Sequence, residues 1–488
     1  MLIGDARPRH LLIVGGGLIG LSTAYAALQR GWRITLIEGE SAPGQMTSAA
    51  NGGMLHVSHT EPWNAPGISR VFLRALFDAS GAVRVDLGAL SRQLPWAMSF
   101  LWHARRGPFQ RATEANAQLA VHSLATLRRW LDQDPTLAAE SLFDASGILK
   151  IYRDRDDLDR HARAAERALA PLGVRVERID RAACLAREPL LDTNAHRCDS
   201  NSAHDPAANS ELIGGLWYPD DAVGDAGRFC RALTDRLLAD PAARVLPATR
   251  VVDLRLHRGR FDAALVVERS RHRTGDLTGA DTDRSRSSRE TCRTQGATPI
   301  AADTCVVANG VDAPRLLARL GLRLPIAPVR GYSLTLPGDA LPLPLATPLI
   351  DDANKIVVTP LGRHAERAGF PDRIRIAGGA DIAGFSRTPP RHRLATIYRS
   401  AQALLRDLPA AEGVDGLDSR WQPWAGLRPM PARGRPYIGP TRFPGVWINA
   451  GVGHLGWTFA AGSADRLIAA LAGDDGALAA LTPLLWEG

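Results

Sequence analysis

Three observations predict an α/β fold with a Rossmann-like, three-layer domain in this chain of 488 residues. The first is a strand–glycine–helix–strand unit at residues 11–40. The second is the return of strand, glycine turn and helix at residues 302–321 and 445–471. The third is the length itself, which exceeds what a single hydrophobic core supports and implies about two or three domains.

The first unit reads LLIVGGGLIGLSTAYAALQRGWRITLIEGE. Residues 11–14 form a short apolar run typical of a buried strand. From Leu18 onward the apolar residues recur at the spacing of one helix face, through Leu21, Ala24, Tyr25 and Leu28. A second strand is predicted over residues 34–37, and it ends at an acidic residue.

The glycines of this unit have the spacing G-x-G-x-x-G. Gly15 allows a sharp turn out of the strand, Gly17 (after Gly16) allows the backbone to approach a pyrophosphate, and Gly20 allows close packing of helix on strand. The helix start offers free N–H groups to the phosphates. Glu38 is able to accept hydrogen bonds from both ribose hydroxyls, which favours NAD or FAD over NADP.

A membrane anchor is the alternative interpretation of the same segment, because residues 11–28 just reach the length that spans a bilayer. Arg7 and Arg9 precede it, but no signal-peptide cleavage site is clear. Since the run divides into a strand period and a helix period around its glycines, nucleotide binding is the better interpretation.

The net charge of +8 comes from 59 basic and 51 acidic residues. Lys150 and Lys355 are the only lysines, so arginine carries almost all of the positive charge. The arginines are scattered and form no block of the kind that marks a nucleic-acid-binding arm. We therefore expect no nucleic-acid partner.

The five cysteines form no C-x-x-C pair and no zinc-type spacing, so no metal site is expected. Their odd number and the lack of a convincing export signal predict reduced thiols in a cytoplasmic protein. Any contact with the inner face of the plasma membrane would be peripheral, since no anchoring helix is present, and no amphipathic membrane helix is evident.

Between the glycine-rich units, residues 68–135 are predicted to be helical, and residues 147–180 to form a strand, a helix and a strand. Residues 192–210 are polar and rich in turn formers, which predicts a surface insertion. Residues 270–298 contain almost no apolar side chains and are predicted to form a disordered loop.

The two later units repeat the plan of the first. One has its glycine turn at Gly310; in the other the strand ends at Asn449 and the helix starts near Gly456. Three such transitions predict three parallel strands whose carboxyl ends converge on one ligand, as in open α/β sheets.

Several stretches resemble the D-amino acid oxidase superfamily of FAD enzymes, and more narrowly its bacterial D-amino acid dehydrogenase branch of the small-subunit type. They are IVGGGLIGLSTAYAALQRGWRITLIE, TSAAN, PW, APG, RGYSLTLP, ATPLIDDANKIVVTPLG, RIRIAGGADIAGF, WAGLRPM, PYIGPT and LGWTFAAGS. The resemblance implies FAD, a two-domain fold that the chain crosses repeatedly, and oxidation of an α-amino acid to an imine that hydrolyses to a 2-oxo acid and ammonia.

The same resemblance implies how the chain divides. A discontinuous FAD-binding domain is expected over residues 1–90, 220–325 and 425–488. An α+β substrate domain with a mixed or antiparallel sheet is expected over residues 91–219 and 326–424.

The resemblance also implies roles for individual residues. Arg428 in GLRP stands where the superfamily places the arginine that binds the substrate carboxylate, which suits the planar fork of a guanidinium. Tyr332 in RGYSLT is a second candidate contact, with a purely structural role as its alternative. The further cofactor-binding candidates are Ser48, Asn51, Gly310, Gly456 and Trp457.

Two departures from the family pattern affect the site. Relatives usually carry G-H-G-T-L-G-W-T where this chain reads GVGHLGWT, so Val452 replaces a histidine and His454 replaces a threonine. No cysteine follows Cys305, which excludes the flavin–cysteine link of sarcosine oxidases and predicts non-covalent FAD.

Three classes of function remain open at this point. The first is a D-amino acid dehydrogenase that passes electrons to a quinone or another electron-transfer acceptor, with D-proline, D-hydroxyproline, glycine or sarcosine as alternative substrates. The second is an RNA-modifying flavoenzyme, and the third is a non-catalytic FAD subunit. The presence of Arg428 argues against the third, since an inert subunit has no need to bind a carboxylate.

Overall fold

The computed structural model describes residues 9–75, 81, 83–191, 211–268, 296–363, 371–405, 408 and 421–486. The α-helices of this part of the chain are α1 (Leu18–Leu28), α2 (Ile68–Ala75), α3 (Leu87–Ser91), α4 (Leu94–His103), α5 (Arg106–Gln133), α6 (Pro135–Glu140), α7 (Arg155–Leu169), α8 (Arg181–Arg187), α9 (Ala226–Ala239), α10 (Ala313–Ala318), α11 (Arg391–Leu404), α12 (Gly456–Leu471) and α13 (Asp475–Leu481).

The strands are β1 (His10–Val14), β2 (Arg33–Ile37), β3 (Met54–Leu55), β4 (Val83–Val85), β5 (Ile148–Tyr152), β6 (Glu177–Asp180), β7 (Gly214–Tyr218), β8 (Ala222–Val223), β9 (Ala243–Leu246), β10 (Thr249–His257), β11 (Arg260–Glu268), β12 (Thr298–Ala301), β13 (Thr304–Val307), β14 (Ile326–Pro337), β15 (Leu349–Asp351), β16 (Ile356–Arg363), β17 (Pro371–Ile382), β18 (Gln422–Pro431), β19 (Tyr437–Pro440) and β20 (Val446–Ala450).

A six-stranded sheet carries the glycine-rich units, in the order β19-β20-β13-β1-β2-β9. Its neighbouring strands run parallel except for β19, which is antiparallel to β20. The three strands predicted to converge, β1, β13 and β20, are direct neighbours. The prediction of three parallel strands is therefore confirmed.

The six-stranded sheet is the middle of three layers. Leu11 and Ile13 of β1 pack on the side covered by α1, α5 and α12. Leu12 and Val14 pack on the other side, against the antiparallel sheet β10-β11-β12. Because successive side chains of a strand point to opposite faces, β1, which is apolar from Leu11 to Val14, requires cover on both faces, and this architecture supplies it.

The larger sheet has the order β18-β14-β17-β16-β15-β5-β7-β6, and β4 also pairs with β17. It is mixed: β15 with β5 and β17 with β4 are parallel, whereas the other neighbours are antiparallel. The predicted combination of a Rossmann-like layer with a mixed sheet is confirmed. The exact domain boundaries stay a prediction.

The strand–helix–strand prediction for residues 147–180 is confirmed by β5, α7 and β6. The helical prediction for residues 68–135 needs a correction, since β4 interrupts the helices there. Its residues Val83–Val85 pair in parallel with β17 and extend the larger sheet. Residues 192–210 and 270–295 lie outside the described residues, and Thr298 begins β12.

Among the helices described, none combines the length and the apolar character needed to cross a membrane.

Candidate active site

A cavity of about 1040 Å³ opens at the carboxyl ends of β1, β13 and β20 and continues along β14 and β18 of the larger sheet. Val14, Ala308 and Ala450 mark the three strand ends in its wall, and Tyr332 and Arg428 mark the larger sheet. Such a volume is at the upper end for ligand sites, which suits a dinucleotide together with a small substrate.

The glycine motif shapes the first end of the cavity by leaving no room for side chains. Gly15 has φ +106°, and a Cβ there would lie 2.7 Å from the Cα of Asn309. A Cβ on Gly20 would lie 1.8 Å from the carbonyl oxygen of Gly15. The turn out of β1 and the packing of α1 therefore both depend on glycine, as the spacing predicted.

Glu38 ends β2 beside this turn and contributes to the cavity wall. Its Oε2 accepts a hydrogen bond from the Gly16 N–H at 2.7 Å, and its Oε1 accepts one from the Glu40 N–H at 2.7 Å. Burial raises the pKa of this carboxyl group. A carboxylate accepts about four hydrogen bonds, so two backbone contacts hold Glu38 in place and leave capacity for ribose hydroxyls.

The loop after β2 brings two more of the predicted residues to the wall. The Oγ of Ser48 accepts a hydrogen bond from the Leu18 N–H at 3.0 Å, at the start of α1, and a Cβ on Gly17 would lie 3.3 Å from the same oxygen. Asn51 accepts through Oδ1 from the Gly53 N–H at 3.0 Å. Both side chains line the cavity while also fixing the loop.

The later glycine-rich units complete this end. Gly310 turns with φ +59° after β13, and Gly456 is the first residue of α12. Trp457 packs its ring on Phe229 with centroids 4.7 Å apart, and its buried Nε1 has no hydrogen-bond partner among the described residues. All three predicted residues line the cavity. The first residues of α1 and α12 both line this end of the cavity, and helix starts offer unpaired N–H groups to a ligand.

These observations fit FAD. The side-chain-free turn accommodates a pyrophosphate, the carboxylate of Glu38 suits a ribose, and the start of α12 suits an electron-rich ring edge. The unpartnered indole N–H of Trp457 is a buried polar atom that a bound group of this kind would satisfy.

Arg428 lies at the second end of the cavity, on β18 opposite Val329 of β14. Its Nη1 donates a hydrogen bond to the carbonyl oxygen of Gly379 at 2.7 Å, and its Cζ lies 5.2 Å from the centroid of the Trp63 ring. Burial lowers the pKa of Arg428 to about 10, so the group is cationic at neutral pH. Among the described residues no carboxylate forms an ion pair with it.

The position of this guanidinium depends on a glycine that sequence reasoning missed. Gly331 of β14 pairs with Gly426 of β18, and a Cβ on Gly331 would lie 2.3 Å from the Cζ of Arg428. The Arg428 guanidinium therefore lies over β14 at Gly331, where no side chain blocks it. The signal was visible as the glycine of RGYSLT, but only the register of the two strands gives it this meaning.

Tyr332, the other predicted catalytic residue, is buried with its ring in the cavity wall. Its hydroxyl donates to Asp381 Oδ2 at 2.5 Å and accepts from Arg330 Nε at 2.9 Å, while Asp381 Oδ1 accepts from Arg393 at 2.5 Å. Burial and the adjacent Asp381 raise the pKa of Tyr332 to about 12. The Tyr332 hydroxyl is thus already engaged in hydrogen bonds with Asp381 and Arg330.

His454 and Trp63 form a wall that sequence reasoning did not assign. Their rings stack with centroids 5.0 Å apart and planes 20° apart. The Nε2 of His454 is buried and has no hydrogen-bond partner among the described residues. Burial, and then the charges of His59, Arg428 and His56, lower the pKa of His454 well below its usual range. A neutral imidazole therefore faces the cavity near Arg428.

Beside this wall lies a set of charged and titratable groups. His59 Nδ1 lies 3.5 Å from Glu61 Oε2, and Lys150 forms an ion pair with Asp352. Burial, followed by the charge of Lys150, lowers the pKa of His59 to about 4. His59 and Glu61 belong to the stretch MLHVSHTEPW, which also contains His56.

Comparison with known proteins identifies the family. Residues 10–471 match the family described as FAD dependent oxidoreductase. A D-amino acid dehydrogenase of Methylobacterium nodulans is 34% identical over 464 residues, which cover 95% of this chain and 94% of that protein. A D-amino acid dehydrogenase of Sinorhizobium medicae is 31% identical over 469 residues, which cover 95% of this chain and 96% of that protein.

Solved structures share the fold. Glycine oxidase from Bacillus cereus superposes with a TM-score of 0.64 at 17% identity, covering 98% of this chain and 99% of that one. L-proline dehydrogenase from P. horikoshii superposes with a TM-score of 0.63 at 14% identity, covering 96% of this chain and 94% of that one. At these identities the likeness shows the fold alone.

Proposed function

The chain belongs to the FAD dependent oxidoreductase family and is of the D-amino acid dehydrogenase type, and from that premise we propose that it oxidises D-amino acids to 2-oxo acids and ammonia. One observation carries the proposal. Arg428 is a guanidinium in the wall of the cavity that begins at the dinucleotide motif, and no carboxylate of the described residues forms an ion pair with it. A substrate carboxylate supplies what that cation lacks.

In the proposed site, the glycine turn at Gly15 and Gly17 together with Glu38 would hold the adenosine and pyrophosphate part of FAD, and Gly456 and Trp457 would bind its ring part. Non-covalent FAD held there would supply the hydride acceptor for this oxidation. The protein's own contribution is to bind the amino acid, orient it and keep water away.

Arg428 binds the carboxylate in this proposal. Its hydrogen bond to the Gly379 carbonyl holds one edge of the guanidinium, and the Trp63 ring supports its face. Arginine carries five N–H donors, so several remain for a two-pronged contact with a carboxylate. Because Gly331 has no side chain, the guanidinium occupies the space beside its Cα, and this fixes where the carboxylate is bound.

His454 binds the amino group. Its unpartnered Nε2 lies on the ring that stacks on Trp63, and Trp63 also touches Arg428. A neutral imidazole accepts a hydrogen bond from an amino N–H, which aligns the nitrogen lone pair for imine formation. Loss of a proton from the ammonium to solvent and of a hydride from Cα to the cofactor gives the protonated imine, and water then converts this imine into the 2-oxo acid and an ammonium ion.

Tyr332 acts as a positioning residue in this scheme rather than as a substrate contact. Its hydroxyl already donates to Asp381 and accepts from Arg330. Its ring packs beside Gly379, where a Cβ would lie 2.8 Å from Cδ2 of Tyr332. Tyr332 therefore fixes the carbonyl that holds Arg428.

For the electron acceptor we propose a quinone or an electron-transfer partner. The support is the family resemblance together with the apolar side chains of the cavity wall, among them Phe72, Trp96 and Phe100, which suit a lipophilic molecule.

Anaerobic mixing with a panel of D- and L-amino acids, followed by flavin absorbance, tests the reaction. We expect bleaching by D-amino acids and formation of one 2-oxo acid for each flavin reduced. Bleaching by glycine, sarcosine or imino acids alone would move the substrate to that class. No bleaching by any of them would overturn the proposal and favour a non-catalytic subunit. Reoxidation by a soluble quinone analogue, compared with oxygen, tests the acceptor.

A further inference from the structure

The cavity wall contains a second charged group without an ionic partner, and this one is an anion. Glu61 lines the cavity, and no described residue donates a hydrogen bond to its carboxylate. Its Oε2 atom is nevertheless buried. Among the described residues no arginine or lysine forms an ion pair with Glu61. A buried carboxylate oxygen without a donor costs free energy, so a ligand that brings a donor is favoured at this position.

The histidine beside Glu61 does not neutralise it. His59 Nδ1 lies 3.5 Å from Glu61 Oε2 and forms no hydrogen bond with it. Burial, and then the charge of Lys150, lower the pKa of His59 to about 4, so its imidazole is neutral at pH 7. The negative charge of Glu61 is therefore left without a positive charge beside it.

The two lysines of the chain both pair with a different carboxylate. Lys150 forms an ion pair with Asp352, and Lys355 places its Nζ 3.9 Å from Asp352 Oδ1. Asp352 lines the cavity as Glu61 does. Two carboxylates and two lysines thus lie in this part of the molecule, but both lysines are at Asp352. The uneven distribution leaves the excess negative charge at Glu61.

Glu61 belongs to the second end of the cavity, where Arg428 lies. Trp63 follows Glu61 by two residues, and its ring stacks on His454 and lies 5.2 Å from Arg428 Cζ. His454 is close to both charged regions, since His59 and Arg428 each lower its pKa. One end of the cavity therefore combines a cation, a neutral hydrogen-bond acceptor and an anion, and neither charged group has an ionic partner among the described residues.

We propose that Glu61 binds the substrate side chain, and that the preferred substrates are D-amino acids whose side chain ends in an ammonium or guanidinium group. This inference rests on the proposed function, in which Arg428 binds the carboxylate and His454 the amino group. The terminal cation then supplies the donors that the Glu61 carboxylate lacks. An uncharged side chain leaves Glu61 without a partner, and an acidic one meets a like charge, so both are selected against.

Ligand binding tests this side-chain site without turnover, so the result does not depend on the proposed oxidation. The ligand 6-aminohexanoate is lysine without its α-amino group, and hexanoate lacks the terminal ammonium as well. Each is titrated into the FAD-loaded enzyme in a calorimeter. We expect 6-aminohexanoate to bind at least about tenfold more tightly than hexanoate, because it adds a charge-assisted hydrogen bond to Glu61. Equal binding of the two by the parent enzyme overturns the proposal.

Glu61→Gln keeps the size of the side chain and removes its charge. In this variant the two ligands should bind within about twofold of each other. The kcat/KM for D-lysine and D-arginine should fall at least about tenfold. D-norleucine and D-citrulline, which resemble these substrates but carry no terminal cation, should change by less than about twofold. Glu61→Lys should reverse the preference and favour D-glutamate over D-lysine.

Glu211→Gln is the matched control, because it removes one carboxylate that lies outside the cavity wall and is 69% exposed. It should behave like the parent, and a loss equal to that of Glu61→Gln would overturn the proposal in favour of an effect of overall charge. An unchanged ratio of D-lysine to D-norleucine oxidation in Glu61→Gln also overturns it, while the proposed function stands. Binding of 6-aminohexanoate that depends on Glu61, without oxidation of any D-amino acid, would support the side-chain site and overturn the proposed function.

Discussion

The two ends of the cavity are built in different ways. At the cofactor end, Gly15, Gly20 and Glu38 lie within one strand–helix–strand unit, where Gly20 packs on the Gly15 backbone and the Glu38 carboxylate accepts from the Gly16 N–H. At the substrate end, Trp63, Arg428 and His454 come from separate segments and meet through side chains. A contiguous motif constrains the backbone and tolerates little change. A site assembled from distant side chains allows substitution without loss of the fold, and specificity changes there first.

The largest effect should come from the cofactor end. Gly15→Ala places a Cβ 2.7 Å from the Cα of Asn309 and forces an L residue to φ +106°. Because neither backbone segment is free to give way, the purified variant should carry less than about a tenth of the parental FAD. FAD absorbance per protein is the measurement.

Gly39→Ala is the control for that experiment. Gly39 also lines the cavity, but a Cβ there meets nothing within 4 Å. Full FAD content in Gly39→Ala with loss in Gly15→Ala would support a backbone-determined cofactor end. Normal FAD content in both variants would show that the close backbone approach at Gly15 does not determine cofactor binding.

Arg428→Leu should give the largest effect at the substrate end. The variant should fold and keep FAD, since the glycine turn and Glu38 are untouched. A two-pronged, charge-assisted contact in a partly desolvated site contributes on the order of 3 kcal/mol, so kcat/KM for D-amino acids should fall at least about a hundredfold. Arg428→Lys should recover only part, because an ammonium lacks the fork.

Two measurements sharpen that result. Amines without a carboxylate should be poor substrates and almost indifferent to the change. If Arg428→Leu oxidises D-alanine at the parental rate, the carboxylate binds elsewhere and the proposed placement of the substrate is wrong.

The same contrast explains what the sequence could predict. β1, α1, β2 and Glu38 follow from hydrophobic period and glycine spacing, because every contact there is local. Arg428 required the family resemblance, since nothing in GLRP distinguishes it from other arginines. Gly331 and Trp63 were not predictable, because their meaning depends on strand register and on a ring brought from another segment.

Gly331→Ala tests the substrate end without touching a polar group. A Cβ would lie 2.3 Å from the Cζ of Arg428, so the guanidinium must move. Since misplacement by about 1 Å costs up to about a hundredfold, we expect a loss of roughly tenfold to a hundredfold in kcat/KM with FAD retained. In the Arg428→Leu background the same change should cost little more, because the displaced group is gone. Additive losses would show that Gly331 matters for another reason.

His454→Phe should have a smaller effect. Phenylalanine keeps the stacking on Trp63 but removes the acceptor Nε2. One hydrogen bond to the amino group contributes about 1.5 kcal/mol, so kcat/KM should fall about tenfold. Carboxylates that lack an amino group should bind unchanged, as followed by the perturbation of the flavin spectrum. Weaker binding of those carboxylates would place His454 on the carboxylate side instead.

The smallest effect concerns acid stability at the substrate end. The pKa of His454 is lowered in the folded protein by burial and by the neighbouring His59, Arg428 and His56. The unfolded chain therefore takes up this proton at about pH 6.5, whereas the folded chain does so only at lower pH. Folding stability that is present above about pH 6.5 is then lost as the pH falls, by about 1 kcal/mol at one pH unit lower. His454→Phe lacks this titration, so with FAD in excess its urea midpoint should fall less than that of the parent between pH 7.5 and 5.5, two values that bracket about pH 6.5. Equal falls would show that the imidazole is not held neutral, and the hydrogen bond to the amino group would lose its acceptor.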